Sequence, residues 1–158
     1  MPVLRLDHTA IAVRDPRPAV RLWRDMLGGT FAQARGEYRG FGFVHFTYPD
    51  RGRVELIFPT SAEETFLTRF LARRGEGMHH MTFIVDDLAA EVARFRREGY
   101  AVVDEDLSDP RWQEAFLSPR GTHGALIQLA ASSLDEAAQD GYWHDDLDRV
   151  LELASRYC

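Results

Sequence analysis

The stretch Gly75-Glu76-Gly77-Met78-His79-His80-Met81-Thr82-Phe83-Ile84-Val85-Asp86-Asp87 decides the reading of the chain. After the glycines, adjacent histidines open an apolar run that alternates with the period of a strand, placing Met81, Phe83 and Val85 on one face and His80, Thr82 and Ile84 on the other. The run has a counterpart near the start. Asp7-His8-Thr9-Ala10-Ile11-Ala12-Val13-Arg14-Asp15 lies over residues 79–87 without a gap, so His8 is matched by His80 and not by His79. The match also holds at the far ends of the two halves, where Val54-Glu55-Leu56 corresponds to Ile127-Gln128-Leu129. His8 to Glu55 is 47 residues and His80 to Gln128 is 48, which implies two copies of one supersecondary unit.

Between these anchors both halves show the same order of elements. Leu4 to Val13 reads as a strand, and Asp15-Pro16 starts a helix that runs through Trp23 and Met26 to Gly28-Gly29. Strands follow at Thr30 to Tyr38, Phe41 to Tyr48 and Arg53 to Phe58. The second half predicts a strand over 78–86, a helix from Leu88 to Glu98, and strands near 100–104, 113–118 and 125–130. Each half is thus βαβββ. An amphipathic helix over Glu63 to Arg74 links them, and residues 132–158 form a helical extension with Leu147, Val150, Leu151 and Ala154 on one stripe. The expected organisation is residues 1–60 and 77–131 as the paired modules and 61–76 as the linker helix, all in one compact domain. The class is α+β.

Composition bounds the function. The chain has 158 residues, 45% of them hydrophobic and 28% charged, which suits a globular protein with a sizeable core. A formal charge of -6 argues against nucleic acid as a partner, because phosphate binding needs a basic surface. Arg69, Arg73 and Arg74 form a local basic patch that an anionic small molecule could meet. The single cysteine, Cys158, excludes an intrachain disulfide and a cysteine-rich zinc site. No signal sequence or membrane span is read, so the expected setting is cytoplasmic.

Leu-Asp-His-x-x-Ile-x-Val at 6–13, Val-Glu-Leu at 54–56 and Phe-Leu-x-x-Arg-Gly-Glu-Gly-x-His-His at 70–80 resemble the vicinal oxygen chelate superfamily, and within it the methylmalonyl-CoA epimerases. That resemblance implies paired βαβββ modules forming curved mixed sheets around a metal-binding cleft. Carried over by position, it makes His8, Glu55, His80 and Gln128 the metal ligands. It also implies a small-molecule substrate, such as an acyl-CoA or a 2-oxo compound, and a homodimer.

Strand parity supports the ligand set. Val54, Leu56 and Phe58 share one face and Glu55 takes the other, as Gln128 does between Ile127 and Leu129. The ligand face is expected to be unpacked. Two imidazoles, a carboxylate and an amide oxygen suit zinc, cobalt, nickel, manganese or iron. The chemistry implied is proton transfer next to a carbonyl through a metal-stabilised enolate, by an isomerase (epimerase) or lyase of glyoxalase type, with Glu55 and His45 as catalytic candidates. Two alternatives stand beside it. A facial triad of two histidines and a carboxylate would make the protein a non-haem iron oxygenase of the same superfamily. Phe41, Phe43, Phe46, Tyr48 and Trp112 could instead line the site of a non-catalytic, resistance-type binding protein. In three places the sequence departs from the epimerase pattern: Gln128 stands where glutamate is usual, Ser108-Asp109-Pro110-Arg111-Trp112 replaces a glycine-rich turn, and Ala131 to Cys158 extends past the usual family end.

Overall fold

The computed structural model describes residues 3–139, 142–154 and 156. Its elements run β1 (Val3–Ala12), α1 (Pro16–Val20), β2 (Thr30–Tyr38), β3 (Phe41–Thr47), β4 (Arg53–Pro59), α2 (Phe66–Arg74), β5 (Gly77–Val85), α3 (Leu88–Arg97), β6 (Val102–Asp106), β7 (Gln113–Leu117), β8 (Ile127–Ala131), α4 (Glu136–Gln139) and α5 (Leu147–Ala154). The fold is α+β, and both βαβββ modules form as the repeat predicts. Among the described residues no helix is long and apolar enough to cross a membrane.

The chain packs as two compact units, Met1–Thr9 with His80–Gln139, and Ala10–His79 with Asp140–Cys158. We call them the first and second unit. In the second, the strand order is β2-β3-β4-β1, with β2 at the edge. One face of this sheet carries Val44, Phe46, Leu56 and Phe58, all fully buried, and is covered by Val20 of α1 and by Leu147, Val150 and Ala154 of α5. The apolar stripe of the C-terminal extension therefore completes a core. The opposite face packs Phe43 and Ile57 against Leu67 and Leu71 of α2. Thr65 caps α2 with a reciprocal pair of bonds to Thr68, which sets where the helix begins.

In the first unit the order is β1-β5-β8-β7-β6, with β5 and β8 parallel. Val85, Ala115, Leu117 and Leu129 pack with Leu88 and Val92 of α3 on one face. Asp87, accepting from the Ala90 amide, starts α3.

Several elements differ from the sequence-based expectation, with α2 beginning at Phe66 rather than Glu63 and β8 at Ile127 rather than near 125. The first helix is not α-helical to Gly28, because Arg21–Met26 widens into a π turn in which the Leu27 amide donates to the Leu22 carbonyl at 3.0 Å. The Trp23 carbonyl, which Leu27 would otherwise use, instead accepts from the Tyr48 hydroxyl at 2.5 Å and from the Gly29 amide at 3.1 Å. Strand β6 begins at Val102 and not near 100, because the chain leaves α3 through a turn in which the Tyr100 amide donates to the Phe95 carbonyl at 3.0 Å.

Gly42 pairs with Phe58 across β3 and β4, and a Cβ there would lie 2.4 Å from the Phe58 ring and 3.0 Å from the Arg35 carbonyl. Phe58 is fully buried and cannot swing away. Gly42→Ala should lower the unfolding free energy by about 1–3 kcal/mol, read from urea denaturation midpoints at constant m-value.

Candidate functional site

The face of each sheet opposite its main helical cover carries polar side chains, and the strands align them in rows. In the second unit Gln33, His45 and Glu55 stand side by side on β2, β3 and β4, because Gln33 pairs with His45 and His45 with Glu55. Gln33 Nε2 lies 3.1 Å from His45 Nδ1, and His45 Nε2 lies 2.9 Å from Glu55 Oε1. All three side chains are buried. An aromatic wall adjoins the row. The Phe43 ring is 5.3 Å from the His45 ring and 5.7 Å from Trp143, which in turn meets Tyr38 at 5.3 Å.

In the first unit the row is built on β1, β5, β8 and β7. Thr82 pairs with Gln128, and its hydroxyl donates to Gln128 Oε1 at 2.5 Å while lying 2.9 Å from His8 Nε2. The other His8 nitrogen, Nδ1, is 2.8 Å from the Asp7 carboxylate, which also accepts from Arg5 at 2.8 Å. Gln128 Nε2 donates to Glu114 at 2.8 Å, a carboxylate that also accepts from the Trp112 indole at 3.1 Å. The His80 ring lies edge-on to His8 at 5.8 Å and to Phe116 at the same distance.

Of the predicted residues, His8, His80 and Gln128 belong to the first unit, and Glu55 and His45 to the second. The expectation of an unpacked ligand face is corrected: His8 is 3% exposed, Gln128 5%, and Glu55 and His80 8% each. The buried groups answer one another: His8 and Gln128 meet at Thr82, Glu55 bonds to His45, and His80 stands against the His8 and Phe116 rings.

In the first unit two atoms of a kind that bind divalent metal ions, His8 Nε2 and Gln128 Oε1, are held near one another. His8 Nε2 and Gln128 Oε1 both reach the single Thr82 oxygen, so their donor atoms converge on one place. Glu114 holds the Gln128 nitrogen and so turns the amide oxygen inward. Asp7 holds His8 Nδ1, the second-sphere carboxylate that leaves Nε2 of a histidine available as a ligand. Asp7, Thr82, Glu114 and Gln33 were not read as site residues from the sequence. Asp7 is the neighbour of His8, and Thr82 shares the His80 face by parity, so both carried a signal. Glu114 and Gln33 are placed by strand register.

His79 stands on the opposite face of β5 from His80, in accord with its parity, and packs on Phe70 at 4.7 Å and Phe66 at 5.4 Å. Burial pushes its pKa down from 6.5 to about 4, with the Glu55 charge opposing in part. Because the unfolded histidine takes up its proton first, stability is lost as pH falls from about 6.5 toward 4. Unfolding midpoints measured across that range should drop for the parent and drop less for His79→Phe.

A family model described as the Glyoxalase/Bleomycin resistance protein/Dioxygenase superfamily matches residues 7–116. The ethylmalonyl-CoA/methylmalonyl-CoA epimerase of Cereibacter sphaeroides is 28% identical over 130 residues, 79% of this chain and 96% of that protein. Among solved structures, methylmalonyl-CoA epimerase from Mycobacterium tuberculosis superposes with a TM-score of 0.75 at 27% identity, covering 86% of this chain and 93% of the other. A variant Streptomyces coelicolor methylmalonyl-CoA epimerase in complex with 2-nitronate-propionyl-CoA gives a TM-score of 0.73 at 28% identity, covering 84% and 99%.

Proposed function

The chain belongs to the Glyoxalase/Bleomycin resistance protein/Dioxygenase superfamily, and from that premise we propose that it is a divalent-metal-dependent isomerase of methylmalonyl-CoA epimerase type, moving the α-proton of an acyl-CoA. The observation that carries this reading is the hydrogen-bonded donor set of the first unit, in which Asp7 orients His8 and Glu114 orients Gln128. Similarity to the Cereibacter and Mycobacterium epimerases supports the substrate class.

His8, His80 and Gln128 of the first unit would hold the ion. When bound, it supplies positive charge beside the thioester carbonyl, where negative charge develops as the α-proton leaves. The proton itself is handled by the carboxylate and imidazole of the second unit. Glu55 takes the α-proton on its carboxylate, and His45, bonded to Glu55 Oε1 at 2.9 Å, steadies the carboxylate as its charge changes. Gln128 is an amide and exchanges no proton at neutral pH. Removal of the proton therefore runs through Glu55, and inversion requires its return on the opposite face of the α-carbon, from a group other than Gln128. Burial of the row excludes bulk water, which strengthens each of these interactions.

The test compares metal content of protein purified without added metal or chelator with that of a His8→Ala/His80→Ala variant, followed by deuterium exchange at the α-carbon of methylmalonyl-CoA. Stoichiometric zinc, cobalt, nickel or manganese in the parent, its loss in the variant, and metal-dependent exchange are expected. Iron with oxygen consumption would instead identify the oxygenase. A parent that neither carries nor takes up metal would be a binding protein. Asp7→Asn should retain the fold and weaken metal affinity about 10–100-fold, measured by competition with a chromogenic chelator.

A further inference from the structure

The Gln33–His45–Glu55 row does not end at Gln33. Residues 142–145 of the C-terminal extension lie along the edge strand β2, outside the 7–116 stretch that matches the family model. Ala34 and His144 form a parallel bridge, the Asp145 amide donates to the Ala34 carbonyl at 3.3 Å, and the Asp145 carboxylate accepts from the Gly36 amide at 2.7 Å. The Trp143 ring is held between Tyr38 and Phe43, with the Arg35 guanidinium 5.0 Å above it. This seating aims the Trp143 backbone amide at Gln33 Oε1, 3.4 Å away.

Both ends of the resulting chain have a fixed polarity. A backbone amide only donates, and an ionised carboxylate only accepts. An amide side chain and a neutral imidazole can each be reversed, but between those ends they have one consistent arrangement. The Trp143 N–H faces Gln33 Oε1, so Gln33 turns its Nε2–H₂ group toward His45. His45 Nδ1 must then accept, and its proton sits on Nε2, where it donates to Glu55 Oε1. Reversing Gln33 would set its NH₂ against the Trp143 N–H and leave both donors facing each other.

We infer that Gln33 is a positioning residue, oriented by the Trp143 backbone of the C-terminal segment, which locks His45 in the Nε2–H tautomer so that it donates to Glu55. The C-terminal extension thereby acts on the proton-handling carboxylate three hydrogen bonds away. The consequence for turnover rests on the epimerase-type reading above, whereas the tautomer itself does not.

The experiment is ¹⁵N NMR of histidine-labelled full-length protein, with the His45 ring signals assigned by their loss in His45→Asn. The expected spectrum shows Nε2 protonated and Nδ1 unprotonated. Gln33→Glu replaces the donor by an acceptor and should move a proton onto Nδ1. Trp143→Pro removes the backbone donor and should give a mixture of tautomers, while Trp143→Phe, which keeps that donor, should retain the parent signature. In α-deuterium exchange with methylmalonyl-CoA, Gln33→Leu should lower kcat tenfold or more with KM within twofold. A parent His45 protonated at Nδ1, or a Gln33→Glu spectrum identical to the parent's, would overturn the inference. If the parent fails to exchange methylmalonyl-CoA yet shows the tautomer and its response to Gln33→Glu, the positioning role stands and the substrate reading falls.

Discussion

Buried polar groups must find partners inside the protein, and this constraint shapes both units. A strand face that carries histidine, glutamine and glutamate cannot be sealed by aliphatic packing without leaving donors and acceptors stranded, at about 1–3 kcal/mol for each unsatisfied group. Here the strands are in register so that each polar residue meets the next, Gln33 to His45 to Glu55 in one unit and His8 to Thr82 to Gln128 in the other. The apolar residues on the reverse of the same strands supply the packing. One face of these strands is thus apolar throughout and the other carries the polar row, flanked in the second unit by Phe43 and Ile57, and the two are bound to each other by the two-residue period of the strand.

Much of this was legible from the residues. The gapless match of His8 with His80, and of Glu55 with Gln128, revealed the repeat, and alternation on β4 and β8 put the polar residue opposite the packed one. What the sequence concealed has a single physical origin. From Thr30 opposite Thr47 and Phe31 opposite Phe46, regular pairing would bring Ala32 to His45 and turn Gln33 to the other face. A one-residue bulge at Ala32 shifts the register, so that Gln33 meets His45. Nothing in Phe31-Ala32-Gln33 signals a bulge by composition. The π turn at Arg21–Met26 was hidden for a similar reason, since it depends on a hydroxyl from Tyr48, a residue 25 positions away from the Trp23 carbonyl it meets.

The two modules have diverged at their matching ends. Glu55 in the first is a carboxylate whose neighbour is an imidazole, while Gln128 in the second is a neutral amide whose neighbours are a hydroxyl and the carboxylate of Glu114. The negative charge of the second module thus stands one residue pair farther along the row. The amide oxygen of Gln128 is held in one orientation by the bond its own nitrogen makes to Glu114, and the carboxylate of Glu55 stands beside an imidazole.

The seating of residues 142–145 on β2 also bears on how the molecule behaves in a crowded solution. Edge strands expose unpaired amides and carbonyls that recruit strands from other chains. The Ala34 carbonyl and the Gly36 amide at this edge are taken up by Asp145, and Leu147, Val150 and Ala154 of α5 cover the adjacent apolar face. The extension is therefore an edge guard. A chain clipped ahead of residue 142 would present a bare strand beside an apolar face that has lost the α5 part of its cover, the combination from which strand-to-strand aggregation starts.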